Sequence, residues 1–132
     1  MKLLVTGGTG LVGSSISNVD VRLGSKDADL KSWSQTDKLF NKHKPTSVIH
    51  CAARVGGLGG NMSAKGEFYY DNIMMNTNVI EACRKYNVEK LICFLSTCVF
   101  PDNATYPLTE EMIHEGEPHS SNFGYAYAKR MI

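Results

Sequence analysis

Apolar residues recur along the chain with two alternating periods. Leu3-Leu4-Val5-Thr6 is a short apolar run ending in glycines, which reads as a buried parallel strand. Helical character is expected from Gly10 to about Ser17, and Val19 to Leu23 alternates like a second strand. A modest helix is expected from Ser34 to His43, with Leu39 and Phe40 on one side and Pro45 as punctuation. Ser47 to Ala52 reads as a third strand. Phe68 to Tyr86 is the longest helical stretch, with Ile73, Val79, Ile80, Cys83 and Tyr86 near one face. Lys90 to Leu95 is another strand, ending at Ser96-Thr97-Cys98. Residues 102–122, with Pro107, Gly116 and Pro118, read as loop, and a helix begins near Tyr125. Strands alternating with helices predict an α/β fold, a Rossmann-like doubly wound parallel sheet covered on both faces.

Size and charge narrow the classes. The 132 residues match one domain, expected to cover 1–132 as a nucleotide-binding unit. A net charge of +1 gives no reason to expect nucleic acid or an acidic membrane surface as partner. No apolar run is long enough for a membrane span, and MKLLVTGGTG lacks the pattern of a signal peptide. Cys51, Cys83, Cys93 and Cys98 show no CxxC spacing, so a disulfide or zinc framework is not expected and a reducing cytoplasm fits.

Thr6-Gly7-Gly8-Thr9-Gly10-Leu11-Val12-Gly13 places glycines at 7, 10 and 13, straight after a strand and at the opening of a helix. That is the context a dinucleotide fingerprint requires. One glycine permits the tight turn, one lets backbone approach a pyrophosphate, and one lets the helix pack on the strand. The plainer alternative is a simple glycine turn. An acid ending the second strand would hold a ribose 2′-hydroxyl and favour NAD. Here the strand ends in Arg22-Leu23-Gly24-Ser25-Lys26, which suits a 2′-phosphate and hence NADP. Solvated surface charges are the alternative, and Asp27 nearby weighs against a firm choice. Asp29-Leu30 would edge an adenine ring or cap the next turn.

Tyr125 and Lys129 stand four apart, so on a helix they share a face. Tyr86 and Lys90 repeat the spacing, but there a helix end runs into a strand. Ser96 ends a strand, and ligands of open α/β sheets bind beyond the carboxyl ends of strands. A free phenol titrates at about 10. An ammonium beside it favours the phenolate, so Lys129 is expected to lower Tyr125 and let it move a proton, with Ser96 bonding the same substrate oxygen.

The stretches TGGTGLVG, SKDADL, VIHCAARVGG, DNIMMNTNVIEAC, LSTCVFPD and TYPLTEEMIHEGEPHSSNFGYAYAKRMI resemble the extended short-chain dehydrogenase/reductases, and within them the GDP-L-fucose synthase branch. The resemblance implies an NADP-dependent 3,5-epimerase/4-reductase acting on a GDP-4-keto-6-deoxy-mannose, a GDP-sugar substrate and a homodimer in the full-length family. It assigns Ser96, Tyr125 and Lys129 to reduction of the ketone and Cys98 to epimerisation. A thiol, at about 8.5 when free, needs only modest help to exchange protons beside a carbonyl. Without the resemblance, Cys98 reads as a small buried apolar residue. The resemblance further implies a cofactor site made of Gly7, Gly8, Thr9, Gly10, Leu11, Val12, Gly13, Ser25, Lys26, Asp29, Leu30, Ala52, Ala53, Leu95 and Lys129. His50 and the glycines after Arg54 would line the cofactor and sugar side, and Asn76 would join a polar chain behind Tyr125 or lie on the surface.

Two departures matter. The family pairs the cysteine with a histidine further along, and a C-terminal part that binds the GDP-sugar is expected to be absent. The connection from Gly13 to Ser25 is also shorter than the family pattern and leaves the first helix about two turns. Two alternatives stand beside the main reading. One is another sugar-nucleotide epimerase or dehydratase with tightly held NAD. The other is an inactive, truncated cofactor-binding module.

Overall fold

The first apolar run forms β1 (Leu3–Thr6), and β2 (Val21–Leu23) and β3 (Ser47–His50) lie on either side of it. With β4 (Lys90–Cys93) they make one parallel sheet in the order β2-β1-β3-β4. Register aligns Leu4 with Val21 and Val48, and Val48 with Leu91. The structure, a computed structural model, describes residues 2–132, and at position 58 the backbone alone. The chain divides into two compact units, Met1–Ala53 with Met74–Phe94, and Arg54–Ile73 with Leu95–Ile132. The α/β Rossmann-like class is as expected.

Helix lengths explain the core of the first unit. Between β1 and β2 the chain has room only for α1 (Leu11–Ser15), shorter than the expected Gly10–Ser17, and only its Gly13 is buried. Helix α2 (Trp33–His43) buries Thr36, Leu39 and Phe40, the i, i+3, i+4 pattern of an amphipathic face. It stops where Lys44 turns left-handed at φ 44° ahead of Pro45, its N–H returning to Phe40 O. Helix α4 (Lys65–Lys85) starts three residues earlier than expected and buries Val79, Ala82 and Cys83 against Leu4, Leu23, Phe40 and Val48. Burial pushes the Cys83 thiol up to about 12.

Buried asparagines fasten α4 to neighbouring backbone. Asn78 Nδ2 donates to Leu30 O at 2.8 Å and Lys31 O at 2.9 Å. In the second unit, Asn72 donates to Arg54 O and accepts from Arg54 N–H. Asp37 on α2 accepts from Lys85 Nζ at 2.6 Å and from the Tyr86 hydroxyl at 2.9 Å.

The second unit holds α3 (Gly57–Ser63), a stretch for which the sequence named no element. Its sequence GLGGNMS argues against a helix, since each glycine costs about 1 kcal/mol relative to alanine. Side-chain bonds offset part of that: Asn61 Nδ2 to Gly57 O at 2.8 Å and Ser63 Oγ to Gly59 O at 3.0 Å. The long loop contains 3-10 turns at Thr97–Val99, Glu110–His114 and Ser120–Asn122, before α5 (Phe123–Arg130). Among the described residues, no helix is long and apolar enough to cross a membrane.

Candidate functional site

In the first unit, β1 delivers the chain into the glycine turn. Gly7 sits at φ +64°, and a Cβ there would lie 2.6 Å from Ala52 N. Only glycine satisfies both demands. Gly10 N–H bonds Gly7 O at 3.0 Å to close the turn, and a Cβ on Gly13 would overlap the Gly7 carbonyl. The turn therefore presents bare backbone, with Gly10, Leu11 and Val12 exposed. Thr9 packs against Gly24, where a Cβ would come 2.7 Å from Thr9 Oγ1.

The residues after β2 are brought beside this turn, but their groups divide. Asp27 Oδ2 accepts from Gly24 N–H at 2.7 Å, which ties the acid into a local turn, while Ser25 and Lys26 stay exposed. Arg22 bonds the carbonyls of Gly13 and, at 2.6 Å, Ile16. It closes the end of α1, whereas Lys26, the other cation read as a 2′-phosphate partner, lies exposed in its turn. Asp29 Oδ1 caps Lys31 N–H at 3.0 Å, and Leu30 packs on the core. Ala52 and Ala53 follow β3 and are half-buried.

His50, at the end of β3, is fully buried. Its Nδ1 meets Thr6 Oγ1 at 2.6 Å and its Nε2 meets Asn76 Oδ1 at 3.1 Å. Asn76 is thus not a surface residue. It belongs with His50 inside the first unit, because α4 turns that face inward.

The second unit gathers Ser96, Cys98, Tyr125 and Lys129. Ser96 caps the Thr97–Val99 turn, its Oγ accepting from Cys98 N–H at 3.3 Å, and it hydrogen-bonds the Tyr125 hydroxyl. Helix α5 is held to that turn by Arg130 Nε, which donates to Val99 O at 2.6 Å. Gly124 lets α5 start directly against Lys65 backbone, where any Cβ would overlap the carbonyl. Lys129 is buried on the same face as Tyr125, its Nζ 6.0 Å from the ring centroid. Leu95, of the expected cofactor residues, is exposed at the start of this segment.

Tyr125 departs from expectation. Burial raises its pKa above the ordinary phenol value, the neighbouring Cys98 adds to the rise, and the Ser96 bond opposes both. The net direction is upward, opposite to the lowering expected from Lys129. Tyr125, Cys98 and Asn122 line a cavity of about 300 Å³ together with Gly56, Gly57 and Asn61. Asn61, Gly124 and Arg130 carried no sequence signal of their own. A glycine one residue ahead of the Tyr/Lys pair was the nearest hint. The second copy, Tyr86 and Lys90, is structural: Tyr86 bonds Asp37 and Lys90 begins β4.

The chain resembles known proteins over nearly its whole length. Residues 3–132 match the NAD dependent epimerase/dehydratase family. The chain is 54% identical over 140 residues to a GDP-L-fucose synthase of Dictyostelium discoideum, covering 98% of this chain and 44% of the relative. It is 36% identical to a GDP-L-colitose synthase of Yersinia pseudotuberculosis, covering 98% of this chain and 44% of that one. A GDP-L-fucose synthetase from Naegleria fowleri bound to NADP superimposes with a TM-score of 0.87 at 51% identity, covering 98% of this chain and 44% of the other. The chain thus spans less than half the length of these relatives. It belongs to the NAD dependent epimerase/dehydratase family.

Proposed function

We propose that the protein is an NADP-dependent sugar-nucleotide epimerase/reductase of the GDP-L-fucose synthase type, acting on a GDP-4-keto-6-deoxy-mannose. The observation that carries the reading is the meeting of a thiol and a Ser96-bonded phenol at one cavity, Cys98 with Tyr125. Fucose synthases are similar to this chain over nearly all its length, and one of them binds NADP.

The residues present fit the cofactor. The turn from Gly7 to Gly13 offers uncovered backbone where a pyrophosphate needs close approach, and Lys26, exposed after β2, would meet a 2′-phosphate. Held by that turn and Lys26, the dinucleotide would supply the hydride. Tyr125 then gives its proton to the carbonyl oxygen, a role suited to a phenol whose burial holds the proton on, and Ser96 steadies that oxygen. Lys129, on the same helix face, offsets the charge left on the phenolate. In the preceding epimerisation, Cys98 Sγ moves the proton on a carbon flanking the carbonyl, which acidifies that C–H. The resemblance places a partner histidine for the opposite face beyond residue 132. A GDP-sugar ligand, a cytoplasmic setting and a homodimer complete the reading, the last checked by sedimentation.

The test follows deuterium. With GDP-4-keto-6-deoxy-mannose in D2O, Cys98→Ser is expected to lose deuterium uptake at the carbons beside the ketone. Tyr125→Phe is expected to keep that uptake and to lose NADPH oxidation by 10²-fold or more, on the order of a general acid's contribution. Uptake unchanged in Cys98→Ser would show that the thiol is not the acid/base. On the chain alone, NADPH at 100 times its Kd should stabilise a two-state fold by ~2.7 kcal/mol.

A further inference from the structure

One wall of the cavity carries a polar group that the proposed chemistry leaves without a task. Asn61 is 8% exposed and lines the cavity together with Cys98 and Tyr125. Its Nδ2 donates to Gly57 O at 2.8 Å, which fixes the sense of the amide. Its Oδ1 is buried and has no hydrogen-bond partner among the described residues. Native proteins leave few buried polar atoms unpaired, and each calls for a cause. The unpaired atom is an acceptor, so the missing partner is a donor. Phosphate and carbonyl oxygens are acceptors and do not qualify; a hydroxyl does.

The helix that carries Asn61 is built to yield. Gly57 sits at φ +61°, a conformation that favours glycine, but Gly59 has open space where a Cβ would stand, so neither packing nor backbone demands glycine at 59. What glycine does there is weaken the helix. A weak α3 lets a ligand hydroxyl reach an oxygen that the closed cavity wall covers.

We propose that Asn61 is the sugar-binding residue of this cavity. Its Oδ1 accepts a hydrogen bond from a ring hydroxyl of the nucleotide sugar, and α3 opens to admit the ring and closes over it. The proposal rests on the sugar-nucleotide reading above and adds a contact and an orientation: hydroxyl towards Asn61, phosphates away from it.

The experiment titrates this chain, by NMR in the presence of NADP, with GDP-L-fucose and separately with GDP. Asn61→Leu is expected to weaken GDP-L-fucose roughly tenfold, the size of one lost hydrogen bond, and to leave GDP unchanged. Gly59→Ala stiffens α3 without touching the ligand; it is expected to weaken GDP-L-fucose about fivefold and again to spare GDP. Equal binding of GDP-L-fucose by wild type and Asn61→Leu overturns the proposal and leaves the functional reading standing. So does an equal loss for both ligands, which would make Asn61 a helix brace. A wild-type chain that takes NADP but no GDP-L-fucose overturns the proposal for this chain and leaves NADP binding standing.

Discussion

The first unit contains two helices that serve the same parallel sheet by different means. Helix α1 is five residues long and buries Gly13 alone; Leu11 is 91% exposed and Val12 46%. The later half of α4 buries Val79 and Ala82 completely and Cys83 nearly so. The long helix covers the sheet with apolar surface, at ~25 cal/mol per Å² removed from water. The short one cannot, and is held by polar contacts instead. Arg22 takes the carbonyls that end α1, and Asp20 Oδ2 accepts from Leu3 N–H at 2.7 Å to fix the entry to β2. Helix α4 builds the sheet's core, whereas α1 serves chiefly to carry the glycine turn.

If that division is right, the largest effect comes from the apolar side. Phe40 is fully buried in the cluster that contains Val79 and Ala82. Phe40→Ala is expected to cost about 3–5 kcal/mol. A small domain has ~5–15 kcal/mol in all. The urea midpoint should collapse or the cooperative transition disappear. A cost under about 1 kcal/mol would mean that the α4 side is not the main support.

The same contrast explains what could be read from the sequence. The strands were legible because Leu3 to Thr6, Ser47 to His50 and Lys90 to Cys93 are short apolar runs bounded by turns, and local chemistry decides them. The positions of Tyr125 and Lys129 on one helix followed from spacing. Helix α3 did not follow, because Gly57, Gly59 and Gly60 predict loop and the helix depends on Asn61 and Ser63 bonding back to carbonyls. The proton on Tyr125 was misjudged for a related reason. Spacing brings Lys129 near, but burial and Cys98, both set by tertiary packing, move the pKa upward. Arg22 reads as a phosphate-seeking cation until the ends of α1 are seen to need a donor.

Arg22 gives the next test. Arg22→Met keeps much of the stem that packs beside Gly8 and removes the donors to Gly13 O and Ile16 O. The expected cost is about 2 kcal/mol, in the range for hydrogen bonds from a charged group. NADPH affinity should fall with it, since the turn loses its brace. A stable variant with unchanged NADPH affinity would show that the short crossover stands without the arginine.

The α4 side also has a polar tie, and pH separates it from the rest. Lys85, then Tyr86, hydrogen-bond Asp37 and lower its pKa below the ordinary carboxylate value. The unfolded chain therefore binds that proton more readily, so the tie's stabilisation is present above the unfolded pKa, about 3.9, and fades as pH falls through the folded one. Melting followed from pH 6 downward should show a shallower acid limb in Asp37→Asn than in the wild type. Identical limbs would mean that the ion pair, open to solvent, is screened to nothing.

The smallest expected effect bears most directly on α1. Leu11 covers no part of the sheet, so Leu11→Ser should move the melting transition by no more than an exposed substitution does, within ~0.5 kcal/mol. A helix that covers a core could not lose a leucine so cheaply. If NADPH binding weakens while the melt stays put, the exposed leucine belongs to the cofactor's surroundings rather than to the fold. If the melt drops by 1 kcal/mol or more, α1 packs more closely than its exposure implies, and the division between covering helix and carrying helix fails.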